Sequence, residues 1–168
     1  MKHVRFSLIV GLIIVALAAM QPAGAVTNTA NVTVSATVAA TAKLTLSSAT
    51  VSFVNADPDT TPSITATEGA ITVTAKGKTS AGGVITLTVL AANDLKSGTD
   101  TIAISNVTWT VSGAGFVAGT MNKTTAQSVA SWTNSGNRTG TQTYALANSW
   151  TYPTGGYSAS ATYTLTAP

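Results

Sequence analysis

Carboxylates are scarce in this chain, and two of the five stand two residues apart in "NADPDTTP". Asp57 and Asp59, with Asn55 beside them and Glu68 further along, offer the oxygen ligands a Ca²⁺ ion takes. The same pair resembles the acid and base of a glycosidase, which needs two carboxyl groups at a set separation. Against both, Asp-Pro-Asp is ordinary turn chemistry, because Asp bonds its own backbone and Pro presets φ. Nothing in the spacing fixes a separation or raises one pKa. The expectation is a turn, with no metal and no cofactor.

Aromatic side chains offer the other chemistry. Trp109, Trp132, Trp150, Tyr152 and Tyr157 form the set, and Trp150 and Tyr152 lie at i, i+2 in "NSWTYPTGGY". Extended backbone would put both on one face beside a Gly-rich turn, with Tyr157 close by. Such a face could stack on a glycan or cell-wall polymer. The competing reading, which carries more weight, is that these rings fill a core or brace a loop.

What is missing excludes more than what is present. The chain has no Cys, and its one His is His3. Residues 1–25 read as a cleaved secretory signal: "MKHVR" is a basic start, "SLIVGLIIVALAAM" an apolar stretch, and Ala23, Gly24 and Ala25 suit a peptidase. The apolar stretch is short for a membrane span, and no second one follows, so no transmembrane anchor is expected in the mature chain. The mature chain then contains no His and no Cys. That removes Ser-His-Asp and Cys-His catalysis, His-based zinc sites and disulfide staples together. An enzyme is not expected.

The signal also takes Lys2 and Arg5 with it. Residues 26–168 keep Lys43, Lys76, Lys78, Lys96, Lys123 and Arg138 against Asp57, Asp59, Glu68, Asp94 and Asp100, a net charge near +1. No basic patch in the sequence argues for nucleic acid. "SGAG" and "SAGG" are turn glycines without the strand-to-helix setting of a phosphate loop. Asn31, Asn106, Asn122 and Asn137 each begin an Asn-x-Thr triplet, which matters only in a host that glycosylates them.

The elements that must position these residues are strands. Short alternating runs recur at 50–54, 70–75, 84–91, 101–111, 126–132, 141–147 and 157–165, between clusters rich in Gly, Pro, Asn and Asp. The spacing predicts one all-β domain over 39–168, an immunoglobulin-like antiparallel β-sandwich of about seven to eight strands. The longest run is "ANVTVSATVAATAKLTL", residues 30–46, in which every even-numbered residue is apolar. At about 3.3 Å per residue it would reach about 56 Å, far beyond an ordinary strand.

"NVTVSATVAATAKLTLSSATVSF", "DPDTTPSITATEGAITVTAKG" and "GGYSASATYTL" together resemble the spore coat protein U-like domain, the subunit type of archaic chaperone–usher pili. The chain departs from that family in lacking its usual Cys residues, with Ala42 or Lys43 and Ala75 in those neighbourhoods. The end "YSASATYTLTAP" is also similar to the last motif of WxL cell-wall-binding domains, with Tyr163 where their Trp would stand. The first resemblance implies an exported surface protein, reached through the periplasm in a Gram-negative host. It implies partners that are other copies or related subunits, with a periplasmic chaperone and usher; the second implies a polysaccharide. In the pilin-like family each sandwich lacks a strand, which the N-terminal extension of the next subunit supplies. Residues 26–38 are then the donor segment, with Ala30, Val32, Val34, Ala36 and Val38 as its pocket residues. The alternative is a self-contained sandwich in which the long run bends from one sheet to the other.

Overall fold

Val, Ile and Thr branch at Cβ, which fits extended backbone on a pleated surface with one buried face. In the computed structural model, which describes Gly24 and residues 26–168, this preference yields ten strands and no α-helix among the described residues. The signal segment expected at 1–25 lies outside them, Gly24 excepted. The strands are β1 (Thr41–Leu46), β2 (Ser63–Lys78), β3 (Val84–Ala91), β4 (Leu95–Ser97) and β5 (Asp100–Ile102). There follow β6 (Val107–Ser112), β7 (Gly119–Thr120), β8 (Gln127–Thr133), β9 (Gly136–Ala147) and β10 (Ala161–Thr166). All pairings are antiparallel.

Two larger sheets share one core. The five-stranded sheet has the order β1-β2-β9-β6-β7, the three-stranded sheet β10-β3-β8, and β4–β5 is a separate hairpin. Ile71, Val73 and Ala75 of β2 and Trp109 of β6 meet Ile85, Leu87 and Val89 of β3 and Val129 and Trp132 of β8 in a single buried cluster. Each large aliphatic side chain so buried contributes about 1.5–3 kcal/mol. Thr72, Thr74 and Lys76 take the alternate positions of β2, outside that core. Thr37–Pro168 forms one unit.

Several elements differ from the expected runs. Residues 50–54 form no strand, because Ser52 is tied to the β2 bulge instead, accepting from Thr67 N and donating to Glu68 Oε2. The run 101–111 is broken by a one-turn 3-10 helix, Ile104–Asn106. Of residues 30–46 only Thr41–Leu46 is strand. Residues 26–36 carry no regular secondary structure, and their side chains are exposed, Val32 by 85% and Val34 by 90%.

Candidate functional site

The two seams where the sheets meet are unequal. On one side the segment between β6 and β7 stitches the sheets together. Phe116 bridges Ala130, Val117 N donates to Val129 O, and Ser131 N donates to Gly115 O. Trp109 Nε1 donates to Val117 O at 2.9 Å, anchoring that segment to the core. Gly140 lets it approach, since a Cβ there would meet the Phe116 ring at 2.5 Å. That seam is closed.

The other seam is open. β1 and β10 are the outer strands on that side, each paired on one edge only, β1 to β2 and β10 to β3. Inner-facing residues of the middle strands are almost wholly buried, whereas Leu44 and Leu46 of β1 and Tyr163 and Leu165 of β10 remain half-exposed. A groove of about 450 Å³ runs in here between residues 46–53 and residues 159–163. Its floor is Ile71, Val107, Met121 and Tyr144. β10, with the sequence ATYTLT, has no charge and no Pro on its free edge, the devices by which exposed edges are usually blunted. An unpaired edge beside an apolar groove can take one more strand by main-chain hydrogen bonds, with alternate side chains entering the groove.

A polar cluster lies at the wall of this groove. Tyr163 Oη donates to Gln142 Oε1 at 2.7 Å and Tyr144 Oη to the same oxygen at 3.3 Å, with the two phenol oxygens also in contact. This ties β10 to β9 across the core. Burial pushes both phenols above their ordinary pKa, and for Tyr144 the neighbouring Tyr163 adds to the effect. Gln142 is fully buried, and its Nε2 has no hydrogen-bond partner.

The residues singled out for chemistry do not converge. Asp57 Oδ1 accepts from Asp59 N as a local turn, Asp59 Oδ1 accepts from Trp150 Nε1 at 3.0 Å, and Glu68 accepts from Ser52 N. Among the described residues no three His, Cys, Asp or Glu side chains come together. The Ser52 bond holds the Glu68 carboxyl below its ordinary value, and Lys123 does the same for Asp94. Asn106, the start of one Asn-x-Thr triplet, spends its amide on Tyr152 Oη.

The aromatic platform is also rearranged. The backbone turns at 149–152, with Tyr152 N donating to Ser149 O, so Trp150 and Tyr152 do not stand side by side on an extended segment. Trp150 is 69% exposed, while Tyr152 and Tyr157 pack against the core and Tyr157 Oη donates to Pro153 O. Trp109 and Trp132 are buried. Sequence reasoning missed the Gln142–Tyr144–Tyr163 cluster. The only available signal was a Gln on the apolar phase of the β9 run.

No protein-family model, no curated protein and no solved structure matches the chain. The functional reading therefore stands on the groove and its two free edges.

Proposed function

We propose that this chain is an exported, non-catalytic structural subunit with an immunoglobulin-like sandwich, assembling into a surface fibre or coat by strand addition. Residues 26–38 of one copy pair with the free edge of β10 in the next, with Ala30, Val32, Val34, Ala36 and Val38 facing the groove. The observation that carries this reading is the half-exposed inner row of β1 and β10 beside an unpaired edge. It matches an alternating segment in the same chain that has no ladder partner. Residues 30–38 would span about 30 Å, enough to cover the six residues of β10. A pilin-type subunit of this kind would need its groove protected before assembly, which is where a periplasmic chaperone and usher would act.

The test compares residues 26–168 with residues 39–168 by light scattering over a concentration series. The long form should make large, heat-resistant assemblies. The short form should stay small, melt early and be rescued by a peptide of residues 26–38. A long form that is a stable monomer at every concentration would sink the proposal. A second reading, a surface module for glycan or cell-wall polymer, is favoured by Trp150, whose exposed ring is fixed through Asp59. It predicts that Trp150→Ala abolishes polymer pull-down without altering oligomeric state.

A further inference from the structure

Most of the cations in residues 26–168 are gathered at one end. The β1–β2 ladder sets Lys43 directly opposite Lys76 and Thr41 opposite Lys78. The β2–β9 ladder sets Arg138 opposite Ala75, and Arg138 lies over the Trp132 ring at 5.9 Å. Four of the six cations in residues 26–168 thus sit where β1 begins and β2 finishes. A like-charge pair directly opposed across two strands is destabilising. None of the four has a carboxylate partner, since the ion pair among the described residues is Lys123–Asp94.

All five carboxylates lie towards the other end. Asp57 and Asp59 precede β2, Glu68 sits in its bulge, Asp94 precedes the short hairpin beyond the end of β3 and Asp100 opens that hairpin's second strand, with Lys96 and Lys123 among them. β3 fixes which end is which. It starts at Val84 opposite Thr133, where Thr79 N donates to Ser135 Oγ one residue past Lys78, and it finishes at Ala91.

We infer that these two poles are the contact between neighbouring copies of this chain: the basic end of one docks on the carboxylate-bearing end of the next. The inference rests on the strand-addition reading and gives it a direction. β1 begins at the basic end, so the donor segment is attached there. β10 runs from Ala161, opposite Ala91 at the acidic end, to Thr166, opposite Thr86 towards the basic end. A donor antiparallel to β10 finishes at the acidic end of its acceptor, where its own subunit begins with Lys43, Lys76 and Lys78. A parallel donor would bring two basic ends together instead. Antiparallel pairing is also the slightly stronger ladder. The unlike ends make a heterologous contact, so growth is polar and does not close. Attraction between exposed charges is screened over about 8 Å at physiological salt, so assembly should slow as salt rises.

The test follows assembly of residues 26–168 by light scattering. Four samples are compared: wild type, Lys43→Glu/Lys76→Glu/Lys78→Glu, Asp59→Lys/Asp100→Lys, and an equimolar mixture of the two variants. Thermal melts check that each variant is folded. Wild type should assemble about tenfold more slowly when salt is raised from roughly 20 mM to 500 mM. Each variant alone should be slowed by about the same factor at low salt, and the mixture should return to within about threefold of wild type. Rescue in the mixture separates complementary poles from damage to the fold, because each variant keeps its own altered end. A mixture no faster than its parts overturns the docking. Salt-independent assembly with unaffected variants also overturns it, while leaving strand addition in place. Wild type that never assembles overturns both.

Discussion

Gln142 is the residue whose identity the local pattern does not explain. It occupies an apolar phase position of β9, fully buried, where Val or Leu would continue the strand's inner face. Its carbonyl oxygen accepts from two phenols, and that makes it the polar tie between β9 and the edge strand β10. Tyr163→Phe removes one of these bonds in a half-buried site and should cost about 1 kcal/mol in denaturant unfolding. Gln142→Met should cost more than Tyr163→Phe, because it leaves two phenols without their acceptor. The reverse order would show that the orphaned Nε2 outweighs both bonds. Trp109 was legible as a core candidate from its strand, and Trp109→Ala should cost about 3–5 kcal/mol. The loss should also loosen the segment held through Val117. Trp150 and Tyr152 were less legible, since the turn at 149–152 divides two residues that spacing alone would pair.

At the scale of the element, the long alternating run and the short strand it contains have a geometric explanation. Period two states which face an extended segment would bury, but not what it pairs with. β2 supplies partners for β1 only as far as Lys78 opposite Thr41, and the chain then turns away through 79–83. Residues before Thr41 keep the alternation without a ladder. The same logic accounts for 50–54, where the carboxylate of Glu68 and the carbonyl of Ser52 replace strand pairing. The free edge of β10 makes a specific prediction. Leu165→Lys places a charge on the half-exposed inner row of β10, an inward-pointing charge of the kind that protects natural edges. It should abolish assembly seen by light scattering, whereas Thr164→Lys, on the exposed face, should leave assembly within about threefold of wild type. Equal effects of the two would point to a contact elsewhere on the surface.

For the whole molecule, the absence of His and Cys from residues 26–168 leaves no side chain with an ordinary titration between the carboxylates and the tyrosines. Glu68 and Asp94 have folded pKa values below their ordinary 4.5 and 3.8, so their stabilisation is present above that range and is lost as pH falls through it. Tyr144 and Tyr163 have folded values raised above the ordinary 10.0, so their contribution is present below it and is lost as pH rises beyond. Thermal melts should show a midpoint nearly flat from about pH 5 to pH 9, falling on both sides. A shift of several degrees between pH 6 and 8 would contradict this account.

The amino-acid sequence by itself determined the all-β character, the positions of most long strands and the inner face of each. Those follow from β-branching, period two and turn residues, which act over a few neighbours. It also excludes disulfide and thiol chemistry within the chain, because the sequence holds no Cys and folding cannot supply one. Only the tertiary structure decided which seam is stitched and which is left open. It alone gathered Lys43, Lys76, Lys78 and Arg138 at one end, and joined Gln142 to two tyrosines. Each of these depends on strand order and register, which bring together residues far apart in the chain, and a local pattern holds no information about such distances.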